Sequence, residues 1–126
     1  MKPLDNLDDL IGQARQLDLA TVDGCLRLGE IADELLGTGL PDIFDWLAID
    51  LDVDPELVSD AWHVASAYPP ATRRTGISWS IYDSLRRHPD RHELVDLAAN
   101  HGWTRDDVER EVSARFAARY LTRAAG

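Results

Sequence analysis

The chain has 126 residues, with 44% hydrophobic and 29% charged side chains and a formal net charge of −10, a balance that fits one globular domain with no room for a separate catalytic domain beside it. No apolar run is long enough to span a bilayer, the opening Met1-Lys2-Pro3-Leu4-Asp5 lacks the basic and apolar regions of a signal peptide, and Cys25 has no disulfide partner. These features exclude a membrane protein and a disulfide scaffold, and they lead us to expect a soluble protein of the reducing cytoplasm.

In chain order, Leu7, Leu10, Ile11, Ala14 and Leu17 recur at helical spacing with acids on the other face, which predicts an amphipathic helix ending near Asp18. Thr21 is the expected N-cap of a second helix carrying Leu26, Leu28, Ile31, Ala32, Leu35 and Leu36 and stopped by Gly37 and Gly39. Pro41 suits the first turn of a third helix, with Phe44, Leu47, Ala48 and Leu51 inward. Asp54-Pro55-Glu56 then combines a capping carboxylate, a proline at N1 and an acid near the positive helix end. The fourth helix so begun shows Leu57, Val58, Ala61, Trp62, Ala65 and Tyr68 on one stripe before Pro69-Pro70 ends it. Residues 71–76 read as a basic loop, and Ser78 or Ser80 caps a fifth helix running to about His88, where Pro89 breaks the pattern. A sixth helix places Leu94, Val95, Leu97 and Ala98 inward and ends at Gly102. Thr104 caps a seventh, with Val108, Val112, Phe116 and Tyr120 at four-residue steps along one stripe.

No segment shows the alternation of a strand, so the expected fold class is all-α, a helical domain of about seven helices spanning residues 1–126. Charge divides it. Residues 1–62 hold 3 basic and 15 acidic side chains, while residues 63–126 hold 10 and 8 together with all four histidines. An acidic N-terminal half (residues 1–68) and a basic C-terminal half (residues 77–126) are therefore expected, with the loop at residues 69–76 as the one candidate boundary.

Both halves carry the pattern of a helix-turn-helix, which needs a small residue where the helices touch, a short turn, and a capped second helix locked by an apolar residue. In the first, Ala48 stands at the contact, Val53 in the turn and Val58 at the lock. In the second, Ala98, Gly102 and Val108 take the same places. The order of motifs over residues 43–112 resembles the helical DNA-binding domain of the ParB/KorB partition-protein class. An opening helix-turn-helix (residues 46–68) precedes a Pro- and Arg-bearing turn (residues 69–74), a Gly76-Ile77-Ser78 helix start running to Leu85, and a closing unit from Gly102 to Val112. The Ile77-Ser78-Trp79-Ser80 start is also similar to small regulators of actinobacteria and their phages. The resemblance implies that the second helix of the opening unit enters the major groove, yet residues 54–63 here carry Asp54, Glu56 and Asp60 and no basic side chain. The first 40 residues offer no counterpart of that class's nucleotide-binding domain, so no CTP switch and no cofactor is expected.

Candidate DNA contacts fall instead in the second half. Arg73 and Arg74 lie in the loop, Arg86 and Arg87 end the fifth helix, and Arg105 and Arg110 lie on the seventh, while Ser78, Ser80 and Thr104 are hydroxyls at helix starts able to meet phosphate. Arg115, Arg119 and Arg123 recur every four residues and suit a phosphate backbone, an acidic partner, or a solvated face paired with acids of the chain itself such as Glu111. Trp46, Trp62, Trp79 and Trp103 read as core or core-edge side chains, with Trp79 and Trp103 also open to base stacking, and Cys25 as a small buried hydrophobe. His63 and His101 read as helix-surface side chains. His88 and His92 lack a third ligand at suitable spacing, so no metal site is expected. No phosphate loop, zinc-binding His-Glu-x-x-His or nucleophile elbow is present, so an enzyme is not expected. The leading expectation is a DNA-binding transcriptional regulator, a homodimer on double-stranded DNA that uses its Arg-bearing half. The alternative is an acidic protein-binding adaptor or inhibitor, such as a DNA mimic, whose N-terminal half engages a basic, DNA-handling partner.

Overall fold

A computed structural model describes the backbone of residues 3–125 and the side chains of residues 7–121. Among these residues the chain is all-α, with seven α-helices, one short 3₁₀ turn at Pro70–Thr72 and no strand. It divides into two compact units, Met1–Ala71 and Thr72–Gly126, and the division falls inside the Pro- and Arg-bearing loop.

The first unit holds α1 (Pro3–Arg15), α2 (Val22–Leu36), α3 (Ile43–Leu51) and α4 (Pro55–Ala67). Thr21 caps α2 as expected, its hydroxyl accepting from the Gly24 amide at 3.0 Å. Helix α2 is the hub that touches α1, α3 and α4, with Leu28, Ile31, Ala32 and Leu35 wholly buried. Its closest approach to α4 is at Gly29. A β-carbon there would collide with the Ala61 carbonyl oxygen and lie 2.7 Å from the Ala65 β-carbon, so only glycine lets the two backbones meet. Cys25 is buried on the same helix, donating from Sγ to the Leu19 carbonyl at 3.3 Å, and burial pushes its thiol pKa up.

Asp54 and Pro55 open α4 as their order predicts, with the Asp54 carboxylate accepting from the Glu56 amide at 2.9 Å. Pro41 does not start α3. The helix opens two residues later behind Asp42, which adopts a left-handed backbone that the proline ring forbids. In the turn between α3 and α4 the left-handed position belongs to Asp52, and Val53 closes the turn by donating its amide to the Ala48 carbonyl at 3.0 Å.

The second unit holds α5 (Trp79–Leu85), α6 (Arg91–His101) and α7 (Arg105–Ala125), around a core of Ile77, Ile81, Tyr82, Leu85, Leu94, Val95, Ala98 and Val108. Ser78 caps α5, accepting from the Ile81 amide at 3.3 Å. The helix is shorter than expected, since Arg86 is its C-cap and Arg87 and His88 lie in the following turn. The α6–α7 turn repeats the α3–α4 design, with left-handed Gly102 followed by a Trp103 amide that donates to the Ala98 carbonyl at 3.0 Å. The expected lock residues Val58 and Val108 are both buried, as are Ala48 and Ala98.

Phe116 and Tyr120 continue the Val108–Val112 stripe in sequence, but they are 71% and 65% exposed because α7 outruns its cover of α5 and α6. Trp46 is 44% exposed rather than core-edge, whereas Trp62, Trp79 and Trp103 are half-buried.

Replacing Gly29 with alanine overpacks the α2–α4 contact and is expected to destabilise the first unit by about 1–3 kcal/mol, measured by urea unfolding. Asp52→Gly removes the left-handed penalty and is expected to stabilise the same unit by about 0.5–1 kcal/mol in that assay.

Candidate functional site

The arginines expected to meet DNA all lie in the second unit, and the structure gives most of them a carboxylate. Arg74 is held from both ends. Its amide donates to the Tyr82 hydroxyl at 2.9 Å, that hydroxyl donates to the Arg74 carbonyl at 3.0 Å, and its guanidinium reaches Asp96 at 3.1 Å and Asn100 at 2.8 Å. Arg86 lies 3.5 Å from Asp83, Arg105 lies 3.0 Å from Glu109, and Arg110 is paired with Asp107. Arg73 is half-buried, and Arg87 is exposed. On α7, Arg115 bridges Asp90, Glu93 and Glu111 at 3.1 Å each, and Arg119 reaches the same Asp90 at 2.9 Å. The reading of this stripe as a face paired with the chain's own acids thus describes Arg115 and Arg119. The Arg123 side chain lies outside the described residues.

Some of the expected contact residues do converge. Arg105 donates to the Ser80 hydroxyl at 3.5 Å, which joins the starts of α5 and α7. Thr104 and Asp107 lock the start of α7 reciprocally, the Thr104 amide donating to the Asp107 carboxylate at 2.9 Å while the Thr104 hydroxyl accepts from the Asp107 amide at 3.3 Å. Arg86 and Arg87 follow the other end of α5, roughly 10 Å away along its seven residues. Ser80, Thr104 and Arg105 therefore come together without Arg86 and Arg87; Ser78 caps the same end of α5, Arg110 lies further along α7 on Asp107, and Asp106, Asp107 and Glu109 stand in the first turns of α7.

These pairs set the titration of the surface. Glu93 is held below the usual carboxylate range by the Arg115 guanidinium, and Asp107 is held down by the Thr104 amide and hydroxyl and by Arg110. Arg115 is raised by Glu93 and then Glu111, and stays charged at every relevant pH. In the first unit Arg15 grips Asp50 with two bonds, Nε to Oδ2 at 2.9 Å and Nη2 to Oδ1 at 2.7 Å, which ties α1 to α3 and lowers the Asp50 pKa.

That tie frames a feature the sequence reading did not single out. Seven of the nine residues of α3 are apolar (Ile43, Phe44, Trp46, Leu47, Ala48, Ile49 and Leu51), and a helix apolar on every side demands cover on every side. Helices α1, α2 and α4 cover only part of it, burying Ile43, Leu47 and Ala48. Phe44, against the Trp62 ring, and Leu51 are half-buried, whereas Ile49 is 79% and Trp46 44% exposed, and beside these two Leu7, Leu40 and Pro41 complete an open groove of about 600 Å³. Asp42 and Asp45 line the same groove. Its sequence signal was the all-apolar composition of α3, which an inward-stripe reading passes over because such a reading asks only which residues face in.

Comparison of the chain with protein-family models, with curated proteins and with solved structures finds no match in any of the three. The likeness to the ParB/KorB class rests on the quoted motifs alone. No helix among the described residues is long and apolar enough to cross a membrane.

Glu93, Asp107 and Asp50 all have pKa values lowered in the folded chain, so the stability they contribute is present above the ordinary carboxylate pKa of about 4 and is lost as pH falls through the lowered values. Thermal unfolding is expected to be flat from about pH 5 to pH 8 on this account and to fall below about pH 4, and Glu93→Gln should flatten the acid limb.

Proposed function

We propose that this chain is a protein-interaction module whose acidic first unit receives a basic, amphipathic helical segment of its partner. The observation that supports this reading is the α3 groove, lined by exposed Trp46 and Ile49 together with Asp42 and Asp45, on a unit whose sequence carries 15 carboxylates against 3 basic side chains. Exposed large apolar side chains rimmed by charge mark a docking surface rather than a solvated face. Apolar anchors of a partner helix would supply most of the affinity, and the aspartates would supply orientation and rate. A DNA-handling protein with a basic surface belongs to the class of partner that this chemistry selects.

A second reading has its own support. Exposed ion pairs such as Arg105–Glu109 are worth only about 0–1 kcal/mol, so phosphate can compete for the guanidinium, and Arg105, Ser80 and Thr104 are gathered where α5 and α7 begin. Together with exposed Arg87, this favours contact of the second unit with double-stranded DNA, as in a transcriptional regulator.

Titration of the full chain with a synthetic helical peptide bearing leucines on one face and lysines on the other, followed by calorimetry, is expected to show binding that Ile49→Ser weakens at least tenfold and that 1 M salt weakens but does not abolish. Absence of binding, or binding indifferent to Ile49→Ser, would overturn the interaction reading. A mobility shift on DNA fragments across a salt series decides the second. Retardation that fades with rising salt and is lost in the Arg87→Ala, Arg105→Ala double variant supports DNA binding, and no retardation at low salt rejects it.

A further inference from the structure

Among the described residues, large apolar side chains are exposed in two places. One is the groove region of the first unit, with Leu36, Leu40, Trp46 and Ile49, and the other is the far part of α7, with Phe116, Tyr120 and Leu121. The two differ in charge. Asp42 and Asp45 line the groove, whereas residues 113–126 contain three arginines and no acidic side chain. The far part of α7 is also helical, and its apolar stripe runs on from buried Val108 through half-buried Val112 to exposed Phe116 and Tyr120. It thus has the character that the groove selects: a helix, apolar along one side and basic in its own sequence, with Arg115 and Arg119 shared with Asp90, Glu93 and Glu111 of its own copy.

We propose that the helix received by the groove is the far part of α7, supplied by a second copy of the chain. This rests on the groove being a docking surface, and it names the occupant. The contact is heterologous, groove of one copy against helix of the next, so each copy brings both halves of the interaction. Phe116 and Tyr120 are its anchors. Together they can withdraw about 300–500 Å² from water, which places the contact among small interfaces and makes the association weak and concentration-dependent. Arg119 follows Phe116 by three residues and so lies on the same side of the helix; it is 57% exposed, and its surface bond to Asp90 at 2.9 Å is weak enough to be exchanged for the groove aspartates, so the contact should also weaken as salt rises.

The test uses the full chain, measuring its mass by sedimentation equilibrium across a hundredfold range of concentration. The mass is expected to rise above that of the monomer, and both Ile49→Ser and the Phe116→Ser, Tyr120→Ser double variant should remain monomeric. All three side chains are mostly exposed, so circular dichroism should show each variant folded. The deciding sample mixes the two variants, because each retains the half that the other has lost. Groove-to-helix docking predicts that association returns in the mixture, whereas groove-to-groove or helix-to-helix pairing predicts that it does not. A wild-type chain that stays monomeric throughout, association that survives Ile49→Ser, or failure of the mixture to associate would overturn the proposal. If the unrelated leucine–lysine peptide binds the groove while the wild-type chain stays monomeric, the interaction reading stands and only the choice of occupant falls.

Discussion

The first unit is organised by the contact of two helix backbones at Gly29 and Ala61. Because no side chain separates α2 from α4 at that point, α4 lies close enough for Val58, Ala61, Val64 and Ala65 to bury themselves, and α2 keeps other faces for α1 and α3. The groove is a consequence of this order. Helix α3 is shared between α2, α4 and α1, which leaves Trp46 and Ile49 without cover, and the two-bond Arg15–Asp50 pair fixes α1 beside it. A bulkier residue at position 29 would therefore act on the groove from a distance, by moving the helices that build it.

The second unit is held by a smaller apolar core and a denser set of ion pairs. Asp90 accepts from Arg115 and Arg119 and so connects the start of α6 to the middle of α7, while Arg74 and the Tyr82 hydroxyl fasten the entering loop to α5 and α6. Arg115, 21% exposed and meeting three carboxylates, is part of the scaffold. The pairs of Arg105 and Arg110 are open to water and weakly held. Any anion reaching this unit would meet a surface whose positive charge is already largely matched, and the first unit's carboxylates offer it none.

Much of the helical plan is legible in the sequence, because caps and stops are local. Thr21, Asp54 and Ser78 each satisfy amides within three residues of themselves, Pro69-Pro70 and Gly102 end helices through their own backbone geometry, and the stripes of α2 and α4 state which side faces in. The charge division is equally plain, since it is a property of composition.

What needed the tertiary structure was where each stripe finds cover and where each charge finds its partner. Four-residue spacing marks Phe116 and Tyr120 as inward for a helix with neighbours along its whole length, but spacing cannot say where the neighbours stop. The partners of Arg86, Arg105 and Arg110 lie three or four residues away, but those of Arg74 and Arg115, Asp96 on the one and Asp90 and Glu93 on the other, are more than twenty residues away in the chain. Local order determined the helices, and the folding of distant segments onto one another decided which apolar faces and which charges stayed available, because burial and ion pairing are properties of neighbours in space.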